Sequence, residues 1–170
     1  EQVRKELGAV TYTDKYVFRA SQVPPTAYPG GATQVVDSRN FDVTSLAALF
    51  IDLDPGALRE VHWHPDADEL QYYISGKARM TVFDAVNNAR TFDFVPGDVG
   101  YVPRTLAHYI ENIGDEPLRV INVFHTDKYK DISLNNWLAL TPPHLVKGHL
   151  NVDDNFIKNL RQTRQPVVKK

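Results

Sequence analysis

Between Tyr16 and Phe124 the chain is a succession of short extended runs, each halted by turn-forming residues before it reaches helical length. The runs are Thr33 to Val36, Leu49 to Leu53, Gln71 to Ile74, Ala78 to Phe83, Thr91 to Val95, Val99 to Val102, His108 to Glu111 and Leu118 to Phe124. They are rich in β-branched and aromatic residues, which suit a pleated surface buried on one side. Between them stand Asp54-Pro55-Gly56, Ser75-Gly76, Asn87-Asn88, Pro96-Gly97-Asp98 and Gly114-Asp115, all good turn formers. Close, regular punctuation of this kind predicts an all-β protein, an antiparallel sandwich or barrel.

After Asp131 the character changes. Ser133 can cap a helix that puts Leu134, Trp137 and Leu138 on one face. Thr141 followed by Pro142 reads as a second helix start leading into His144 to His149. Asp153-Asp154 before Phe156, Ile157 and Leu160 reads as a third. The first 30 residues, with Pro24-Pro25 and Pro29-Gly30-Gly31, are expected to form an arm over the barrel. The predicted organisation is one domain over 1–170: arm 1–30, β-barrel 31–125, a loop 126–133 and a helical tail 133–165. A chain of 170 residues suits that plan and can bury one sizeable core.

Composition narrows the function classes. A net charge of -2 and no basic run interleaved with aromatics argue against a nucleic-acid partner. The one basic cluster, Lys169-Lys170, is expected to be a solvated tail. No apolar run approaches the roughly 18 residues a membrane helix needs. Zero cysteines exclude disulfides, zinc ribbons and thiol catalysis. The chain opens on Glu1 rather than Met, so a leader or preceding domain is compatible with it, and cytoplasmic and secreted settings both stay open.

His62-Trp63-His64 carries the chemistry. On a strand, side chains two residues apart share a face, so both imidazoles would point one way. Glu69 follows shortly, and His108 lies on a distant predicted strand. Three neutral imidazoles and one carboxylate could close around a metal ion and leave positions for substrate or O₂, which suits Mn or Fe better than a closed structural zinc site. An isolated His-x-His is more often a pair of ordinary strand residues. His125 ends a strand near the suspected site, while His144 and His149 are expected on the surface.

The spacing also resembles a known family. Gly56, five residues, His62-x-His64, four residues, Glu69, six residues, Gly76 matches the first cupin motif. Gly97, five residues, Pro103, then His108, three residues, Asn112 matches the second, except that Thr105 stands where the general motif has glycine. More narrowly, the stretches Glu69 to Phe83, Gly97 to Pro103, His108 to Leu118 and Ser133 to Ala139, with the ending Pro166 to Lys169, resemble the C-terminal cupin of the two-cupin oxalate decarboxylases, which also lack that glycine. The resemblance implies a cupin double-stranded β-helix, Mn with Fe or another divalent ion as the alternative, O₂ as co-catalyst, and oxalate converted to formate and CO₂. It also implies that Arg59, three residues before His62, lies beside the substrate. A three-residue offset on a regular strand would put Arg59 on the opposite face, so a bulge is required.

Two departures from the family bear on the reaction. Asn122 replaces a glutamate, and asparagine cannot exchange a proton at ordinary pH. The segment Thr126 to Ser133 aligns with the family's mobile lid but contains no glutamate; Asp131 is the nearest equivalent and Tyr129 the second candidate acid. Decarboxylation needs a proton donor, so three readings follow: a decarboxylase (a C–C lyase), an oxalate oxidase giving CO₂ and H₂O₂, or a metal-binding cupin with little turnover that serves structure or assembly. A homo-oligomer is expected, through sheets or through the Leu134, Trp137, Leu138 and Leu140 surface.

Overall fold

The computed structural model describes residues 16–42 and 45–169. Residues 1–15 of the expected arm, and Lys170, lie outside the described residues. The strands run β1 Thr26–Tyr28, β2 Gly31–Val36, β3 Ala47–Leu53, β4 Ala57–Trp63, β5 Glu69–Ser75, β6 Ala78–Asp84, β7 Asn88–Phe94, β8 Val99–Val102, β9 Ala107–Asn112, β10 Leu118–Phe124, β11 Ile132–Ser133 and β12 Val167–Lys169. Helices α1 Leu134–Leu140, α2 Pro143–Leu150 and α3 Asp154–Asn159 lie between the last two strands.

Two antiparallel sheets face each other, one in the order β1-β2-β3-β10-β5-β8 and the other β11-β4-β9-β6-β7, with β12 also on β4. Alternation along the strands explains the layering. In β3, Ala47, Leu49, Ile51 and Leu53 point inward and are buried, as are Leu118, Val120 and Phe124 on β10. They meet Ile110, Tyr73 and Ala78 in a single apolar cluster, burial of the kind that dominates folding free energy. Gly76 ends β5 with φ +80°, and a Cβ there would stand 2.7 Å from Leu118 Cα, so the corner needs glycine. Thr105, where the general motif has glycine, adopts φ 70° and donates its N–H to His64 O at 2.8 Å.

At the ending, Val167–Lys169 pairs with Ala57, Leu58 and Arg59 of β4, the Lys169 side chain is exposed, and Lys170 lies outside the described residues. Two local expectations are corrected. Thr141 does not open the second helix. It follows α1, bonding Trp137 O through its hydroxyl, and Pro142 takes the cap with Pro143 in the first turn. The turn after β6 centres on Val86 and Asn87, both at positive φ, and Asn88 already belongs to β7. Ser133 and Asp153 do cap α1 and α3, accepting from Asn136 N and Phe156 N.

Candidate metal centre

β4 delivers His62 and, just beyond its end, His64; β5 opens with Glu69; β9 supplies His108, paired with His62 across the β4–β9 ladder. All four side chains are buried, and one potential ligand atom from each lies within 4.8 Å of the others. The structure thus brings together the four residues singled out from spacing.

The hydrogen bonds fix which nitrogen faces inward. His62 Nδ1 lies 2.7 Å from Glu60 O, His64 Nδ1 2.7 Å from Lys130 O, and His108 Nδ1 3.1 Å from Leu106 O. A carbonyl oxygen only accepts, so each Nδ1 carries the proton and each Nε2 presents a lone pair to the centre. On the carboxylate, Glu69 Oε1 accepts from Gln71 Nε2 at 3.2 Å and from the Asn122 amide, leaving Oε2 to face the imidazoles. His108 Nε2 and His64 Nε2 stand 2.6 and 3.2 Å from that oxygen. Yet none of these three buried atoms has a hydrogen-bond partner. Converging lone pairs and a carboxylate oxygen in a dry centre repel one another unless a cation joins them. Burial, then Arg59 and the neighbouring imidazoles, holds His62 well below its ordinary pKa, so its ring is neutral as a ligand must be. The donor set fits a divalent ion with N and O preference and positions to spare.

Arg59 sits beside this cluster. The β4–β9 register shifts between Arg59 and His62, and Arg59 and Glu60 are both buried, so the required irregularity is present and turns Arg59 inward. Its guanidinium donates to Tyr129 Oη at 3.0 Å and Pro166 O at 3.3 Å and pairs with Asp131. Asp131 is held from the other side by Arg164 and accepts the Tyr129 hydroxyl at 2.8 Å. Burial opposes its ionisation, but Arg59, Arg164 and the Tyr129 hydroxyl outweigh it and keep the Asp131 pKa below the ordinary carboxylate value. Burial, against the pull of Arg59, raises the Tyr129 phenol, which stays protonated.

Asn122 lies on β10, paired with Gln71 across the β5 ladder, and its amide donates to Glu69 Oε1. Sequence reasoning missed Gln71, Arg164 and the carbonyls of Glu60, Leu106 and Lys130. Gln71 was findable, since two residues after Glu69 it shares that face of β5. Arg164 carried no local signal. His125, His144 and His149 are exposed.

A two-sheet β fold enclosing such a set is the architecture of a known class, and comparison agrees: the chain belongs to the cupin family, whose model matches residues 18–158. Within that family it is homologous to oxalate decarboxylases. It is 48% identical over 164 residues to oxalate decarboxylase OxdC of Bacillus subtilis (strain 168), covering 96% of this chain and 42% of the relative. It is 41% identical over 165 residues to an oxalate decarboxylase of Arthroderma benhamiae, covering 95% and 39%. A solved structure of the Bacillus subtilis enzyme described with Mn(II) centres superposes with TM-score 0.88 at 49% identity, covering 90% of this chain and 41% of that one. The chain therefore spans about two fifths of the length of the relatives it matches.

Proposed function

We propose that this chain is a manganese-dependent, oxalate decarboxylase-like enzyme in which His62, His64, Glu69 and His108 hold the ion and Arg59 holds the substrate. The observation that carries this reading is the convergence of two imidazole lone pairs and Glu69 Oε2, all buried and unpartnered, beside a buried arginine. The relatives' names supply oxalate, and the Mn(II) centres of the Bacillus enzyme supply the metal. A bound divalent ion would offer coordination positions to oxalate and O₂ and an accessible redox couple.

The chain's own residues do the rest. Arg59 presents a guanidinium fork to a carboxylate and stays charged, because Tyr129 and Asp131 raise its pKa against the cost of burial. Asn122 and Gln71 occupy Glu69 Oε1 and so aim Oε2 at the ion. Residues 126–133 act as a lid, with Asp131 as the acid and Tyr129 as its hydroxyl partner. Hydrogen oxalate losing CO₂ must regain its proton at carbon to leave as formate. Asp131 can deliver it only after moving off Arg59 and Arg164, since between two arginines it is a carboxylate.

That same pairing favours a second reading. With Asp131 held ionised, oxalate and O₂ would instead give two CO₂ and, with two protons, H₂O₂. Purified protein with Mn and oxalate, assayed together for formate, peroxide and CO₂, separates the two. Formate as the main product supports the lyase, peroxide the oxidase; neither, at full Mn occupancy, overturns both.

The expected homo-oligomer has support on the outer face of β5 and β8. There Leu70, Tyr72, Ile74, Val99 and Tyr101 are exposed, with Leu70 opposite Tyr101 and Tyr72 opposite Val99. On α1, Trp137 leans against Trp63 at 6.2 Å, so part of that helix packs on its own barrel.

A further inference from the structure

Next to the metal centre, but not lined by any of its four residues, is a cavity of about 320 Å³. Its walls come from Val23 and Pro24 ahead of β1, from β1 to β3, and from Arg39, Arg59, Tyr129 and Arg164. Arg59 and Tyr129 are the partition it shares with the centre. Among the described residues no aspartate, glutamate or histidine lines it, whereas three arginines do.

Those arginines are not fully neutralised. Arg39 pairs with Asp37, while Asp131 is shared between Arg59 and Arg164. Glu60, also near Arg59, is taken by Arg161 at 3.3 Å. Four cations thus face three carboxylates; three of the cations line the cavity and none of the carboxylates does. Arg59 is wholly buried, so its guanidinium, whose Nε has no hydrogen-bond partner, adds positive charge just behind the cavity wall. A buried guanidinium N–H without an acceptor is costly and rare. Of the four terminal N–H groups of Arg59, three go to Pro166, Tyr129 and Asp131.

We infer that this cavity is a second anion site, distinct from the metal centre, which takes a di- or tricarboxylate of about four to six carbons. Two accessible guanidinium forks, Arg39 and Arg164, backed by the buried charge of Arg59, call for more than one carboxylate. The volume falls at the lower end of small-molecule sites, roughly 300 Å³ and upward, and exceeds what a two-carbon anion fills. Asn40, Thr26, Thr33 and Tyr28 add polar wall for the rest of such a ligand. An occupant would compete with Asp131 for Arg164 and Arg59, and so would bear on the loop. The site itself needs no metal and does not rest on the oxalate reading.

The test is calorimetric titration of the whole chain, Mn-loaded and chelator-stripped, with citrate, succinate, oxalate and inorganic phosphate. Citrate or succinate is expected to bind one per chain, with a Kd that agrees within about twofold in the loaded and stripped protein. Arg39→Gln should weaken that binding at least tenfold and Arg39→Lys less. Thr26→Trp, which fills the space from an exposed strand position without touching a charge, should abolish it if the fold is intact by circular dichroism. Binding that disappears on stripping the metal would place the anion on the ion and overturn the proposal. So would phosphate binding as tightly as citrate, an unchanged Kd in Thr26→Trp, or no binding of any of the four. Each of these outcomes is independent of whether the protein yields formate or peroxide.

Discussion

In the ligand cluster the outward-facing nitrogens are all satisfied and three inward-facing atoms are not; around Asp131 nearly every polar atom already has a protein partner. Each imidazole is tied by Nδ1 to a backbone carbonyl, while His64 Nε2, His108 Nε2 and Glu69 Oε2 have no hydrogen bond. Asp131, by contrast, takes two arginines and a tyrosine hydroxyl. The first arrangement is complete only with a cation added. The second leaves only Arg59 Nε without a partner and must be broken before it can act. The cluster sits on strands whose ladders fix it; the loop is tied at its end by the β11–β4 pairing of Ile132 and Ser133, and in its middle chiefly by the charges around Asp131.

The contrast is most exposed to refutation at Glu69. Glu69→Gln should cut bound Mn to below about a tenth of wild type, at least the tenfold to hundredfold typical of losing an outer partner, with the circular dichroism spectrum retained. Unchanged Mn by elemental analysis would show that the cluster needs no cation. Asp131→Asn should cost about 3 kcal/mol in denaturant unfolding, because it strands a buried Arg59, and should lower formate per Mn. A stability change under about 0.5 kcal/mol would mean that the loop is not held by charge.

Asn122→Ala removes a donor to Glu69 Oε1 and should weaken Mn binding by roughly tenfold, without the destabilisation seen at Asp131. Acid adds a further distinction. The native state keeps Asp131 ionised where an unfolded chain, near the ordinary value of 3.8, begins to take up a proton. Its contribution is therefore complete above that value and is lost as pH falls through the lower native one. The stability gap between wild type and Asp131→Asn should close on acidification; a gap constant down to pH 3 would contradict the pairing. The smallest effect belongs to the exposed pair between Lys130 of the loop and Asp66 of the β4–β5 connection, 2.5 Å apart. Lys130→Ala should cost under about 1 kcal/mol, and a larger loss would show that the loop is held at its surface as well.

How much of this was legible in the sequence follows from the range of each interaction. Strand alternation is a local rule, so the paired histidines, Glu69 and the inward faces of β3 and β10 could be read directly. β4 itself was not among the strands read out, because Ala57–Trp63 carries Arg59, Glu60 and His62 on buried positions and looks polar. Arg59 was legible only conditionally, since its direction depends on an irregularity that sequence does not mark. The partners of the loop were invisible. Arg164 reaches Asp131 from 33 residues away, and the carbonyls that orient the imidazoles belong to the backbone, which has no letter in a sequence.

One of those carbonyls ties together what strand and loop would otherwise keep apart. His64 donates its Nδ1 proton to Lys130 O, inside the loop, while its own carbonyl accepts from Thr105 N. Displacing residues 126–133 therefore withdraws the acceptor that makes one ligand ring more basic, and the donor strength of His64 varies with loop position. On the proposed reading the loop would thus also tune an ion held by His64, and a spectroscopic signature of bound Mn would report any change in the loop.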